Sequence, residues 1–220
     1  MKTKERPIIF SGEMVRAILA GRKTQTRRVV KPQPIYGGEV GIFNRMMTAR
    51  DGEGYPGPDE FGFFNEDQCI KCPYGQPGDR LWVRETFDID SFGAGVAQIR
   101  YRADNSRGMP HVVSDSKLSG NSRCVSSIHM PRHCSRITLE VVDVRVERLL
   151  KITEKDAIAE GVNGGCLNCG MPEPCGCNCP FPIPLDAFQF LWESIHKKGF
   201  GWHDNPWVWV VEFKRVESEL

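Results

Sequence analysis

Apolar and polar residues alternate most regularly between Ile137 and Val146. Ile137, Leu139 and Val141 fall on one side, and Thr138 and Glu140 on the other. Val144 and Val146 extend the pattern after a bulge. This period of two predicts a strand with one face buried. Trp207 to Val216 reads as a closing strand, with Trp207, Trp209, Val211 and Phe213 on one side. Asp79 to Phe87 predicts another strand. Within it Leu81, Val83, Glu85 and Phe87 share one face, and Trp82, Arg84 and Thr86 the other. Pro7 to Phe10 reads as a short first strand, and Val96 to Tyr101 as a strand-like piece.

Helical spacing appears in three places. Ser11 is a plausible N-cap for a helix from Gly12 to Ala20, in which Met14 pairs with Ile18 and Val15 with Leu19. Gly21 suits its end. Thr153-x-x-Asp156 predicts a capping box and a short helix that stops at Gly161. Asp186 to Lys197 is amphipathic, with Phe188, Leu191, Trp192 and Ile195 on one face. Between these elements lie two Gly- and Pro-rich segments, read as loop insertions at about 32–78 and 163–184. There is no internal repeat. Strands with two or three short helices interleaved suit a small α+β barrel.

Composition changes this picture little. The chain has 220 residues, 40% hydrophobic and 26% charged, with a net charge of +1. It is long enough to bury a core without metals or disulfides. A near-neutral charge excludes a globally basic nucleic-acid binder, so any such signal must be local. That local signal is Gly21 to Lys31, GRKTQTRRVVK, read as a basic loop. It holds five basic residues from Arg22 to Lys31 and no acid. No apolar run reaches membrane-spanning or signal-peptide length, so the expected location is the cytoplasm and no membrane partner is expected. Nine cysteines, an odd number, argue for free thiols or a metal site over a disulfide framework.

The string PIIFSGEMVRAILAGRKTQTRR resembles the opening of ASCH domains: a strand, a short helix, then a G-x-K-x-x-T-x-R loop. Here that loop is Gly21, Lys23, Thr26 and Arg28. PGDRLWVRETF, SIHMPRHCSRITLEV and NPWVWVVEFKRV resemble further segments of a branch carried by phages and prophages. The resemblance implies a single PUA-like β-barrel domain over residues 1–220, interrupted by the two insertions. It also implies a protein that handles a nucleic acid, RNA favoured over DNA, or a modified nucleoside. One compact bacterial branch of the family removes the acetyl group from N4-acetylcytidine. There the matching lysine is the base, the threonine the nucleophile, and a strand glutamate the proton donor. Lys23 and Thr26 match the first two, and Glu85 is the candidate for the third.

The residues argue part of this independently. A lysine beside a hydroxyl can act as its base when its surroundings lower its pKa. Glu85 falls among apolar neighbours on its strand face. A buried carboxylate needs a partner, such as Lys23, or takes up a proton. The competing expectation is a Lys–Glu ion pair that only pins the loop. Arg22, Arg27, Arg28 and Lys31 are candidate phosphate contacts, with Arg28 at the motif position. Arg84, His129 and Arg132 are candidate contacts at a pocket rim, with His129 able to carry a proton.

Cys166, Cys169, Cys175, Cys177 and Cys179 place five thiols within fourteen positions. Such spacing suits tetrahedral zinc in a structural role, with Cys69 and Cys72 as further candidate ligands. No organic cofactor and no obligate protein partner is inferred. Three functions compete: acyl-amide hydrolysis on a pyrimidine nucleoside, a non-catalytic RNA- or DNA-binding module, and a nuclease-like activity on the same loop.

Overall fold

The computed structural model describes residues 3–35, 37–48, 54–64, 69–93, 96–106, 111–112, 123–162, 184–196 and 199–216. The strands are β1 (Glu5–Ile9), β2 (Gln25–Val29), β3 (Glu39–Thr48), β4 (Gly54–Phe64), β5 (Cys69–Lys71) and β6 (Arg80–Arg84). They continue as β7 (Phe87–Gly93), β8 (Val96–Tyr101), β9 (His111–Val112), β10 (Arg123–Val125), β11 (Thr138–Arg148) and β12 (Trp207–Val216). The helices are α1 (Gly12–Leu19), α2 (Glu154–Ala159) and α3 (Pro184–Ile195). The class is α+β, mostly sheet. Two compact units divide the chain. The first comprises Met1–Lys23, Asp79–Glu140 and Lys214–Leu220, and the second Thr24–Gly78 and Val141–Phe213.

In the first unit, β1 runs parallel to β6, with Ile8 beside Val83. β6 runs antiparallel to the start of β11, with Leu81 beside Leu139. The alternation predicted from Leu81 to Phe87 is visible in the burial: Leu81, Val83, Glu85 and Phe87 are buried, while Trp82, Arg84 and Thr86 are half-buried. Regular pairing nevertheless stops at Arg84, so Glu85 and Thr86 form the junction between β6 and β7. A four-stranded antiparallel sheet follows, in the order β10-β7-β8-β9. Its core is Phe87, Ile89, Ile99, Tyr101 and Val125, packed with Met130 and Cys134. Helix α1 starts at Ser11, whose Oγ accepts from the Met14 N–H at 3.4 Å. Val15, Ala17 and Ile18 form its buried face. It ends at Gly21, whose φ of +70° suits a residue without a Cβ.

In the second unit, β2 pairs antiparallel with β12, placing Thr26 beside Val211 and Arg28 beside Trp209. Val208 to Val211 are all buried, so both faces of β12 are covered there. The core gathers Leu149, Ile152, Ala157, Phe188, Trp192, Trp202, Val208 and Val210. Helix α2 carries the predicted capping box in full. The Thr153 Oγ1 accepts from the Asp156 N–H at 3.2 Å, and an Asp156 oxygen accepts from the Thr153 N–H at 3.0 Å. On α3, Ala187, Phe188 and Trp192 are buried, but Ile195 is exposed.

Two expectations need correction. The segment 32–78 is not a long loop, because it contains the antiparallel sheet β3-β4-β5. Backbone ladders need no side-chain pattern, so Gly- and Pro-rich sequence hid the strands. Gly62 shows why glycine is there. A Cβ at this position would collide with the Ile70 carbonyl and sit 2.8 Å from Lys71 Cα. The basic stretch is likewise only partly a loop, because its centre, Gln25–Val29, is strand β2.

Candidate functional site

Glu85 is the buried ionisable group around which the first unit's polar residues collect. It is 2% exposed. Its phase on the sheet turns the carboxylate away from water, and the cation that meets it there is Arg136. The Arg136 Nε donates to Glu85 Oε1 at 2.8 Å, and Nη2 donates to Oε2 at 2.9 Å. This is the paired, planar geometry in which arginine and carboxylate bind most strongly. The third nitrogen, Nη1, donates to Asp104 Oδ2 at 2.7 Å and to Ser106 Oγ at 2.6 Å. The guanidinium also lies 4.1 Å from the Tyr101 ring centroid, and the Tyr101 hydroxyl donates to the Cys134 carbonyl at 2.8 Å. The Glu85 N–H is directed at Met130 Sδ, at 3.5 Å. One arginine thus holds two carboxylates and rests on an aromatic face.

The three acids of this cluster respond differently. Burial pushes Glu85 above the usual carboxylate range, more than the Arg136 hydrogen bonds and charge pull it down. Asp104 moves the other way. Burial pushes it up, but hydrogen bonds from Arg136 and Ser106 outweigh that and hold it at about 2. Burial pushes Tyr101 up to about 12. Two carboxylates on one guanidinium therefore have separated proton affinities, and the buried one holds a proton more readily.

Lys23 belongs to the same unit and is 2% exposed. The turn after α1 sets its place. The N–H groups of Arg22 and Lys23 both donate to the Ala17 carbonyl, at 2.9 and 3.1 Å. The Lys23 ammonium lies 5.5 Å from the Phe10 ring centroid. The Phe10 N–H in turn donates to the carbonyl of Arg84, the residue before Glu85, at 3.3 Å. Phe10 is thus tied to Lys23 through its ring and to the Arg84–Glu85 turn through its backbone.

Thr26 lies in the second unit on β2 and is 2% exposed. Next to it, Arg27 is taken up internally and is not presented to a phosphate. Its side chain is fully buried, with Nη2 2.7 Å from Glu147 and 3.4 Å from Asp156, and Nη1 3.5 Å from Glu160. Arg145 binds the same acidic group, reaching Glu147, Asp156 and Glu212. Arg22 is exposed and Arg28 half-buried.

The rim candidates of the first unit gather around Trp82. The Arg84 guanidinium lies 5.3 Å from the Trp82 ring centroid and that of Arg132 lies 5.9 Å from it. Arg84 also donates to the Ile128 carbonyl. Arg132 donates to Glu5 at 2.8 and 3.3 Å, which lowers the Glu5 pKa. His129 is exposed in a 3₁₀ turn.

Cys166, Cys169, Cys175, Cys177 and Cys179 lie outside the described residues. Cys69 is a half-buried thiol at the start of β5, and Cys72 is a buried one just after it. Among the described residues no group of three or more His, Cys, Asp or Glu is placed to hold a metal ion.

Sequence reasoning gave Glu85 its buried face but not its partner. Arg136 stands 51 residues away, just before a strand, and no motif in the sequence marks it. The hydrogen bonds from the Val83 N–H to the Ile137 carbonyl, at 2.9 Å, and from Ser135 Oγ to the Val83 carbonyl, at 2.7 Å, set its segment against the strand that ends before Glu85. Asp104 and Ser106 lie in a polar turn with no motif to mark them. Compared with known proteins, the chain matches no family model, no curated protein and no solved structure.

Proposed function

We propose that this chain is an ASCH-type, PUA-like protein that handles a nucleic acid or a modified nucleoside. Its chemistry in this reading is hydrolysis of an acyl-amide on a pyrimidine nucleoside. The observation that carries it is Glu85: buried, oriented by two bonds from Arg136, and raised in proton affinity by burial. Hydrolysis of an amide needs a proton delivered to the departing nitrogen, and a carboxyl whose proton affinity burial raises is suited to deliver it. Lys23, buried in the same unit and tied through Phe10 to the turn before Glu85, is the base of this reading. The nucleophile role of Thr26 rests on the sequence resemblance alone.

The test is incubation with N4-acetylcytidine and related acylated nucleosides, followed by chromatography of the products. Turnover in the native protein, lost in Glu85→Gln, Lys23→Ala and Thr26→Ala with the fold retained by circular dichroism, is the expected result. A native protein inert on all of them removes the hydrolase reading. One observation favours a second reading, a binding module without chemistry. Trp82 sits with two arginines over its ring on β6, a pairing of aromatic and cation that suits stacked bases and phosphates. In that case Trp82→Ala weakens oligonucleotide binding, and Glu85→Gln leaves it unchanged.

A further inference from the structure

In the first unit, β6 carries two rows of side chains. Leu81 and Val83 are buried in the core, and Arg80, Trp82 and Arg84 lie on the opposite face. The strand register extends that outer face across the sheet. Pro7 of β1 and Thr138 of β11 stand on either side of Trp82, and Ile9 of β1 stands beside Arg84. Pro7 and Ile9 are exposed, and so is Ile128, whose carbonyl accepts from Arg84. The face thus presents a tryptophan among apolar side chains and guanidinium groups.

Arg132 reaches over this face from a 3₁₀ turn at Arg132–Cys134. Its guanidinium lies 5.9 Å from the Trp82 ring centroid, and its Nη2 donates to the Thr138 hydroxyl at 3.4 Å. On β1 it meets Glu5. Nε donates to Oε2 at 2.8 Å, and Nη2 donates to Oε1 at 3.3 Å. Two bonds to two oxygens of one acid are what arginine also offers a phosphate. Arg132 in turn lowers the Glu5 pKa, so this carboxyl is an anion at neutral pH. The pair is open to water, with 42% of the Arg132 side chain and 38% of that of Glu5 exposed. An ion pair so exposed holds its members weakly. A phosphate can therefore replace the carboxylate without disturbing the core.

The other charges keep the face basic. Arg80 stands in register with Glu5 and Glu140, and Glu140 pairs with Lys214 at 2.9 Å. Arg80, Arg84, Arg132 and Lys214 thus stand against Glu5 and Glu140. That balance favours a polyanion, and the tryptophan favours one whose bases are open to stacking. A duplex keeps its bases stacked on one another. A single strand offers both groups at once.

We propose that the outer face of β1 and β6 binds single-stranded nucleic acid, with a base on Trp82 and phosphates on Arg84 and Arg132, and that Glu5 holds the place of the Arg132 phosphate until the strand displaces it. The inference rests on the nucleic-acid reading and adds to it the face, the strandedness and a competing carboxylate. Glu5 is then a brake, because each bound strand must break the Glu5–Arg132 pair.

The experiment is fluorescence anisotropy of a labelled mixed-sequence RNA oligonucleotide, single-stranded and paired with its complement, over a range of salt. The expected result is tighter binding of the single strand, weakened as salt rises. Glu5→Gln tightens it about two- to fivefold. Trp82→Ala weakens it by at least about fivefold. Arg132→Gln weakens it too, and in the double variant cancels the gain from Glu5→Gln. Arg132→Gln alters an exposed side chain, so it carries the test if Trp82→Ala fails to fold. No binding by either the native protein or Glu5→Gln removes the nucleic-acid reading and this site with it. Binding that ignores both Trp82→Ala and Arg132→Gln keeps that reading and overturns this face. Equal affinity for the duplex overturns the strandedness. Loss in Arg132→Gln with no gain in Glu5→Gln overturns the role of Glu5.

Discussion

Glu85 in the first unit and Arg27 in the second are both buried charges, but they are opposite members of an ion pair. At Glu85 the carboxylate is the hidden partner, and Arg136 keeps 18% of its side chain exposed. At Arg27 the guanidinium is fully buried, and the acids Glu147 and Asp156 keep 19% and 22%. The difference matters because only one of these groups can change its charge. A desolvated carboxylate answers burial by binding a proton more readily, as Glu85 does. An arginine cannot lose its proton in a protein, so Arg27 must keep its acids or leave the interior. The first cluster is therefore suited to proton transfer, and the second to holding β2 and α2 in place.

The largest expected effect breaks the second cluster. Arg27→Ala leaves Glu160, itself 3% exposed, beside an unfilled cation site. Removing one member of a buried ion pair costs about 3–5 kcal/mol, read in urea unfolding. A loss under about 1 kcal/mol would show the network to be ornamental.

Arg136→Ala is the matched test in the first unit, and its expected cost is smaller, about 1–3 kcal/mol, because Glu85 can take up a proton. The sign follows from the raised Glu85 pKa. Stability from the protonated form is fully present below the unfolded value near 4.5 and is lost as pH rises through the folded value. The variant should thus come closest to the native protein in mild acid and fall furthest behind at neutral pH. An equal deficit at all pH values contradicts a titrating Glu85.

Thr153→Ala removes the cap of α2 and one anchor of Asp156, for about 1 kcal/mol. Because Asp156 also faces Arg27, this change and Arg27→Ala should be non-additive in a double-mutant cycle.

The smallest change is Asp104→Asn, whose deficit is present at neutral pH and fades in acid. With its pKa held at about 2, Asp104 contributes stability above 3.8 that is lost as pH falls toward 2. The variant should show a flatter acid limb over that window in acid unfolding followed by fluorescence.

The sequence by itself determined the elements whose local pattern and packing agree. The alternation of Leu81 to Phe87 turned Glu85 inward, Ser11 and Gly21 bounded α1, and Thr153 and Asp156 formed their capping box. Each of these is decided within a few residues, by side-chain period or by a cap that reaches three positions.

What only the tertiary structure decided lies between distant positions. Residues 62–64 pair with 69–71 in a stretch whose glycines gave no strand signal, because the hydrogen bonds come from the neighbouring strand. Arg27 and Arg28 are neighbours and both candidate phosphate contacts in the sequence, yet the first is surrounded by carboxylates and the second is half-buried. Arg136 reached Glu85 across 51 positions. A charge in a sequence carries no address for its partner. Long-range pairing sets which groups leave water together, and that desolvation determines which buried charge keeps its ion and which takes a proton.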